Sequence, residues 1–357
     1  MSAGRVAFGY RTRTLRSRWV SGRVGLRSVV VSTALFLTAL GLGAVALTHG
    51  DYPLTLQQVF AALTGAEQGF ERTVVLKWRL PIVIAAVVFG ALLGIGGAIF
   101  QSLTRNPLGS PDVIGFDAGS YTAVVVTILV IGKGGYWWVA FAAIAGGLTT
   151  AFVVYVLSYR RGIQGFRLII VGIAVSAMLV SVNSYLITRA EIEDAMTVGF
   201  WAAGSLARVT WTPLVPALAI AAVLIVSAAL LAPALRRLEM GDDAAVTLGT
   251  RPGPVRLGLI VTGVATAAVV TAAAGPIVFI ALAAPQLARR LTRSAGVGIP
   301  AAAGMGATML AGAHLLSLLI AQAYRPVPVG LITLCLGGGY LIWLLIRETH
   351  QRYGLTR

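Results

Sequence analysis

"LPIVIAAVVFGALLGIGGAIFQSLTRNPLGSPDVIG", residues 80–115, combines an apolar run with an abrupt stop. Residues 80–100 include no charged side chain, and about 20 such residues cross a bilayer as a helix. The run contains several glycines, and the spaced pair Gly90 and Gly94 would let a neighbouring helix approach closely. We therefore predict a membrane helix that packs inside a helical bundle.

The end of this stretch predicts a turn. Asn106-Pro107 and Ser110-Pro111 each stop a helix, because the residue before a proline is biased away from helical backbone. We expect the backbone to turn at the inner membrane surface, with Asn106, Pro107 and Pro111 forming a structural turn. Direct contact with a transported molecule is the alternative, since irregular backbone at this depth is tolerated beside a cavity.

The rest of the chain repeats the apolar pattern. Of the 357 residues 57% are hydrophobic and 11% charged, whereas a soluble domain carries about 25% charged residues. We count ten candidate spans: residues 29–48, 80–100, 115–132, 136–157, 168–187, 213–232, 257–275, 277–291, 300–322 and 327–346. The predicted fold class is all-α, a polytopic membrane protein of about ten transmembrane helices in one bundle. The break at Gly275-Pro276 is either a loop or a kink.

The basic residues determine the predicted orientation. If the N-terminus is cytoplasmic, the inner segments carry three times as many Lys and Arg residues as the outer segments. Both termini then lie in the cytoplasm, with residues 1–28 as a basic segment, 29–347 as the membrane domain and 348–357 as a tail. The run 29–48 is longer than the apolar region of a signal peptide, so we expect an uncleaved span. The net charge of +16 follows from this topology, and no nucleic-acid partner is expected.

The chain offers few groups for chemistry of its own. Cys335 is the single cysteine and the three histidines lie far apart, so we predict no metal site and no means of holding bare iron. The nucleotide-binding motif G-x-x-x-x-G-K-[ST] does not occur. No acidic residue falls well inside a predicted span, although Asp117 lies at the start of one. His314 is the one titratable candidate within a span, and a packed histidine is the simpler interpretation than a proton relay.

These observations favour a transporter that is driven by a partner. An ion-coupled secondary transporter of a small solute is the alternative, and it would need a coupling residue such as His314. A scaffolding membrane protein is a second alternative, which substrate-dependent ATP hydrolysis with the partners would exclude.

The stretch "LEMGDDAAVTLG", residues 238–249, holds three of the 12 acidic residues of the chain. Asp242 or Asp243 is a suitable N-cap, residues 244–248 fit a helix, and Gly249 suits the position after a helix end. We predict a helix of about two turns on the cytoplasmic face. A capped surface turn with no further role is the alternative.

Long blocks of the chain resemble one family. Residues 236–249 resemble the cytoplasmic coupling segment of the FecCD-like permease subunits of type II ABC importers, which take up iron-siderophores and cobalamin. Further blocks similar to the family follow in the same order along the chain: residues 78–120, 166–179, 199–206, 275–291 and 327–348. The chain is most similar to the ferric-enterobactin branch, so a catecholate siderophore is the favoured cargo.

The resemblance implies partners as well as a fold. It implies a second homologous permease, with a heterodimer favoured, two copies of an ABC ATPase that bind ATP and Mg, and an external siderophore-binding protein. The complex would lie in the bacterial cytoplasmic (inner) membrane. Iron(III) would enter only as chelated cargo, and this chain would hold no cofactor and catalyse no reaction. The segment that couples to the ATPase would comprise Glu239, Met240, Gly241, Asp242, Asp243, Ala244, Ala245, Leu248 and Gly249.

The resemblance also implies docking and path residues. Family members meet the binding protein through arginines near the start of the second span; Arg79 matches the first of these, whereas Ile82 stands at the second. Family members also often carry an aspartate where this chain has His314. The other docking candidates are basic residues in the outer segments: Arg72, Lys77, Arg208 and Arg325. The fifth span lines the path in this family, and its polar residues could equally bond neighbouring helices: Ser176, Ser181, Asn183 and Ser184.

Overall fold

The computed structural model describes residues 12–16, 21–112, 115–132, 135–159, 165–294 and 296–354. Within these residues the regular elements are helices, apart from one antiparallel two-stranded ribbon, β1 (Thr12–Arg16) and β2 (Ser21–Gly25). The ribbon lies in the basic N-terminal segment. The all-α prediction is therefore correct for the membrane domain and wrong for this segment.

The α-helices follow the ribbon in this order: α1 Leu26–Thr48, α2 Leu56–Thr64, α3 Phe70–Thr73, α4 Leu80–Thr104, α5 Phe116–Leu129, α6 Tyr136–Ser158, α7 Gly165–Arg189, α8 Ile192–Ala202, α9 Trp211–Glu239, α10 Asp242–Thr247, α11 Pro252–Ala274, α12 Ile280–Thr292, α13 Ile299–Ala323 and α14 Val329–Gly354. A π-helical stretch, Val74–Arg79, joins α3 to α4, and a 3₁₀ turn, Leu206–Arg208, precedes α9.

Each of the ten predicted runs overlaps a helix, although the helices differ in length. In the described part of the chain, seven helical segments are long and apolar enough to cross a membrane: Leu26–Thr48, Phe70–Thr104, Tyr136–Ser158, Arg167–Arg189, Trp211–Glu239, Pro252–Ala274 and Ile299–Ala323. Two apolar helices are shorter, Phe116–Leu129 and Val329–Trp343, and α12 has only 13 residues. The sequence did not predict α2 and α8, which lie in connections between the apolar runs.

Helix α4 lies at the centre of the bundle, and its glycines explain why. A methyl group on Gly94 would lie 2.1 Å from the carbonyl oxygen of Ala302 in α13, and one on Gly97 would lie 1.7 Å from that of Ala281 in α12. Gly90 meets the backbone of Gly306 in the same way, at 2.4 Å. Backbone therefore packs directly on backbone, which confirms the predicted role of Gly90 and Gly94.

After α4 the chain re-enters the bundle. Arg105 adopts a left-handed conformation (φ 49°), and the side-chain oxygen of Asn106 accepts the backbone N–H of Leu108 at 2.9 Å. The Cγ of Pro111 then lies 3.5 Å from where a methyl on Gly96 would sit. Gly96 precedes the end of α4 by about 12 Å, at 1.5 Å per helical residue. The chain therefore turns after α4 as predicted and then runs back beside that helix. The prolines did not indicate this return, because they specify where a helix stops but not the direction of the chain that follows.

A second interruption separates α11 from α12. Gly275 and Phe279 both have positive φ angles, 75° and 71°, and the residues between them are not helical. The break at Gly275-Pro276 is therefore a loop and not a kink. It shortens α12 to 13 residues. Gln286 of that helix donates to the carbonyl of Pro107 at 2.7 Å, within the segment after α4 that we call the re-entrant segment, residues 105–112.

Candidate functional site

The connection between α9 and α11 folds as a compact protrusion. Helix α9 ends at Glu239, Gly241 reverses the chain direction with φ 117°, and the six residues of α10 follow. The N-cap is Gly241 and not an aspartate as predicted, so Asp242 and Asp243 occupy the first turn of α10. Their charges there favour the helix through its dipole. We refer to residues 240–249 as the knob.

The far end of the knob closes with two hydrogen bonds. The backbone N–H of Gly249 donates to the carbonyl of Val246 at 2.9 Å, and that of Thr250 donates to the carbonyl of Ala245 at 2.8 Å. Gly249 has φ 77°, as the predicted position after a helix end requires. The predicted short helix and its terminal glycine are therefore confirmed. Pro252 is the first residue of α11, so it begins this helix and also ends the connection between α9 and α11.

Charged groups attach the knob to α4 and α11. Arg256 donates to Oδ1 of Asp242 at 2.6 Å, and the Arg105 guanidinium lies 3.6 Å from the same oxygen. Arg105 also donates to the carbonyl of Leu238 at 2.9 Å, and the hydroxyl of Ser102 donates to Glu239 at 2.6 Å. Asp242 and Glu239, both predicted to contact a partner, are thus already engaged within the chain. The sequence did not reveal Ser102, Arg105 or Arg256, because two of these contacts cross more than 130 residues.

The outer face of the knob is apolar with one free acid. Met240, Val246 and Leu248 are 60%, 56% and 52% exposed. Asp243 is exposed and makes no hydrogen bond or ion pair with any residue that the structure describes. Ala245 is fully buried against α9 and α11, so it packs the knob onto the bundle and faces no partner. Exposed apolar side chains around one acid are suited to binding another protein.

At the opposite end of α4, Arg79 is engaged within the chain. Its guanidinium donates to the carbonyl of Leu47 at 2.8 Å and to that of Tyr52. Ile82 and His314 line one cavity of about 190 Å³ beside Arg79. The two positions at which the sequence departs from the family pattern therefore lie together.

The other basic docking candidates differ in exposure. Arg72 is half-buried and its guanidinium lies 3.4 Å from the side-chain oxygen of Gln68. The remaining three are exposed: Lys77, Arg208 and Arg325.

The polar residues of α7 divide into two groups. Ser181 and Ser184 are exposed, and each hydroxyl donates to a backbone carbonyl one turn earlier at 2.9 Å. Ser176 is half-buried, and it faces the start of α5 at Gly115. Asn183 is buried, and neither atom of its amide group finds a partner among the described residues.

The exposed side of α7 carries a stripe of small or hydroxyl-bearing residues. They recur at alternating spacings of three and four, so they share one helix face. This small-residue stripe comprises Ala174, Ala177, Ser181, Ser184 and Thr188.

Two acids that the sequence analysis did not pair lie together at the re-entrant segment. Asp112 ends that segment, and Asp117 lies in the first turn of α5. The hydroxyl of Thr271 in α11 donates to Asp117 at 3.4 Å. The only signal in the sequence was their five-residue spacing across a turn, which does not identify partners.

Comparison with known proteins assigns the chain to a family. Residues 36–347 match the FecCD transport family. The chain belongs to this family. It is 44% identical to the ferric enterobactin transport system permease protein FepG of Escherichia coli (strain K12), over 91% of this chain and all of FepG. It is 31% identical to the permease protein FepD of the same system, over 92% of this chain and 99% of FepD.

A solved structure shares the fold. It is described as an inward-facing conformation of a metal-chelate type ABC transporter, and it covers 89% of this chain and 99% of its own with a TM-score of 0.75. The sequence identity is 24%, so the likeness concerns the fold. The family match and the similarity to FepG identify the chain as a transport permease and not an enzyme, and as a multi-pass protein of the cytoplasmic membrane.

Proposed function

We propose that this chain is one of two permease subunits of an ATP-driven importer that passes an iron(III)-siderophore of the catecholate class inward. The carrying observation is the 44% identity to FepG along the whole of that permease. The iron travels as a chelate, since no group of three or more metal-ligating side chains occurs among the residues that the structure describes. Both termini lie in the cytoplasm, with ten membrane helices between the basic segment 1–28 and the tail 348–357.

The knob is the contact for a separate ATPase that binds ATP and Mg. Its exposed apolar residues, Met240, Val246 and Leu248, would fill a cleft of the ATPase, and Asp243 would set the register with a basic residue there. Asp242 and Glu239 serve instead to transmit movement, because Asp242 attaches the knob to α11 and Glu239 attaches the adjoining end of α9 to α4. Two copies of the ATPase would serve the two permeases.

The small-residue stripe of α7 faces the second permease and the path between the two subunits. Exposed serines on a lipid-facing surface would gain little, whereas small residues let a second helix pack closely. FepG and FepD are distinct permeases of one ferric enterobactin transport system, which supports a heterodimer here. Asn183 lies on the same helix with an unpaired buried amide, and we assign it and the three serines to the path or its walls.

An external siderophore-binding protein docks at the outer end. Of the docking candidates, Lys77, Arg208 and Arg325 are exposed and would meet acidic residues of that protein. Arg79 contributes mainly by holding the connection between α1 and α2 through the carbonyls of Leu47 and Tyr52.

Reconstitution with the proposed partners in liposomes tests the function. We expect uptake of ferric enterobactin that requires ATP inside the liposome and the binding protein outside, and at least tenfold slower uptake of a ferric hydroxamate at equal concentration, about 1.4 kcal/mol of discrimination. A partner ATPase that cannot hydrolyse ATP is the matched control. Uptake that persists with this ATPase, follows an ion gradient and is lost in His314→Ala would contradict the proposal and favour a secondary transporter.

A further inference from the structure

A cavity of about 270 Å³ lies at one end of the bundle. Its walls come from the ends of α5 and α11, the start of α6, the end of α8 and the 3₁₀ turn that follows α8. With both termini in the cytoplasm, as proposed, this end of the bundle faces outward. We call this space the outer cavity.

The outer cavity adjoins the end of α7. Ile128 and Trp201 line the cavity, and both belong to the apolar cluster in which Leu186 and Ile187 of α7 pack. The next residue, Thr188, is the last member of the small-residue stripe. Because we assign the path to this stripe, the outer cavity lies beside the outer entrance of the path.

One wall of the outer cavity is held by backbone contacts. The N–H of Ser205 donates to the carbonyl of Ala274 at 2.8 Å. A methyl group on Gly275 would lie 2.5 Å from the carbonyl oxygen of Trp201. Trp201 and Ser205 are thus fixed against the end of α11, and a largely preformed cavity is typical of sites for small molecules.

Aromatic rings contribute to the lining. Trp201 stacks on Tyr121 of α5 with the ring centroids 6.2 Å apart and the planes within 3° of parallel, which fixes the orientation of the indole. Phe200 and Tyr136 line the same cavity, and both side chains are exposed. Such rings favour a planar aromatic ligand, which can stack on them or meet them edge to face.

A cation accompanies these rings. Arg208 lines the outer cavity, and within the described part of the chain it is the one charged residue that does so. It ends the 3₁₀ turn, which Ser205 caps by accepting the backbone N–H of Ala207 on its Oγ at 3.2 Å. The hydroxyl of Ser205 can still donate its hydrogen. A cation and a hydroxyl donor beside aromatic rings suit an anionic aromatic ligand.

The volume of the outer cavity restricts the ligand to a single ring. A cavity of about 150 Å³ accommodates benzene, so this one has room for one substituted ring and not for a whole siderophore. A ferric complex of three catecholates carries a net negative charge and has its rings at its periphery. The iron-binding groups of a ferric hydroxamate supply neither a ring nor a net charge.

We propose that the outer cavity receives one catecholate ring of the cargo as the binding protein releases it, with Phe200 and Trp201 against the ring and Arg208 beside its oxygens. This inference rests on the proposed function, and it adds a site in the permease that favours catecholates over hydroxamates. Arg208 is also a candidate for docking the binding protein, so the tests leave it unchanged.

Protection of an introduced thiol tests whether cargo enters the outer cavity. Thr197→Cys places a thiol on the cavity wall, in a chain whose exposed Cys335 is replaced by serine. In the complete importer during ATP hydrolysis, a water-soluble maleimide should label this thiol about threefold more slowly with binding protein that carries ferric enterobactin than with cargo-free binding protein. Met196→Cys is the matched control, since Met196 is exposed on α8 outside the lining, and its labelling should not depend on cargo. Equal labelling of Thr197→Cys with and without cargo would overturn the proposal.

Substitution of Phe200 tests the aromatic contact. Phe200→Leu keeps an apolar side chain and removes the ring, so we expect the maximal rate of ferric enterobactin uptake to fall about fivefold when loaded binding protein is saturating. Phe200→Tyr retains a ring and should stay within about twofold of wild type. Affinity for the binding protein should be the same in both variants. Equal uptake by Phe200→Leu and Phe200→Tyr would contradict the role of the ring.

The two assays separate the outer cavity from the proposed function. If cargo protects Thr197→Cys and wild type shows no ATP-driven uptake, the proposed function fails and the cavity assignment stands. If wild type takes up ferric enterobactin and Thr197→Cys is not protected, the proposed function stands and the cavity assignment fails.

Discussion

Helices α4 and α7 have the same length of 25 residues and are both apolar enough to cross a membrane, yet the chain uses them in opposite ways. In the most apolar part of each, 78% of the α4 residues are buried and only 17% of those in α7. The α4 glycines meet the backbones of α12 and α13, whereas the small residues of α7 face outward. Hydropathy therefore indicates that a segment crosses the membrane. A membrane helix belongs to the core when another helix of the same chain covers its small residues, and it can form an interface when those residues stay exposed.

The largest expected effect comes from filling the α4 contact. Gly97→Leu places atoms where the Ala281 carbonyl already lies, and overpacking at this backbone contact should destabilise the bundle by about 3 kcal/mol. The fraction that remains monodisperse in detergent after heating measures the loss. Gly338→Leu on α14 is the matched control, since nothing lies within 4 Å of its added Cβ. Equal heat resistance of the two variants would show that the backbone contacts of α4 do not stabilise the bundle, and it would contradict the assignment of α4 to the core.

A bulky residue on α7 should affect assembly and leave the subunit intact. Ala177→Trp obstructs the small-residue stripe, so we expect copurification of the second permease to fall about tenfold, the effect of losing roughly 1.4 kcal/mol of binding. The heat resistance of the single subunit should not change. Val182→Trp, on the flank where Val182 is 47% exposed, is the control and should bind the second permease normally. If both variants retain the second permease, the stripe faces lipid.

A substitution in the knob should have a smaller effect, which is confined to binding of the ATPase. The contacts with the end of α4 should keep the knob in place in such a variant. Leu248→Asp puts a charge at an exposed apolar contact, and we expect several-fold weaker copurification of the ATPase, about 1 kcal/mol. Thr247→Asp is the control, because Thr247 already bonds its own helix through its hydroxyl and lies beside the apolar face. Unchanged ATPase recovery with Leu248→Asp would move the ATPase contact elsewhere.

The smallest expected effect concerns Arg105. Arg105→Ala removes the bond to the Leu238 carbonyl and leaves the Arg256–Asp242 pair in place. Because the side chain is 53% exposed, the stability change should stay below about 1 kcal/mol. We expect fewer molecules of cargo moved per ATP hydrolysed, measured as the ratio of the two rates in liposomes. An unchanged ratio would show that α4 does not transmit movement from the knob.

Many of the structural features that distinguish these regions were predictable from the sequence. Runs of about 20 apolar residues located the long helices, and the glycine spacing of α4 predicted its close packing. The short helix of the knob followed from its acids and from Gly249. These features are local, since each depends on residues within one or two helical turns.

The parts that could not be predicted depend on contacts between distant residues. Nothing near Asp242 in the sequence indicates that it would pair with Arg256, which lies beyond the end of α10 in α11. Prolines stop α4 but do not show that Pro111 returns to the level of Gly96. The exposure of α7 could not be deduced either, because apolar composition is the same for a helix that faces lipid, its own core or a second subunit.

The direct backbone contacts of α4 restrict how the protein can move. Side chains that interlock can change rotamer and let two helices slide, but a carbonyl seated on a glycine Cα has nothing to rearrange. Helices α4, α12 and α13 therefore cannot slide past one another, and they move together as one rigid unit. Any opening of a passage must therefore come from movement of the other helices relative to this rigid unit, because those helices are not held by the glycine contacts of α4.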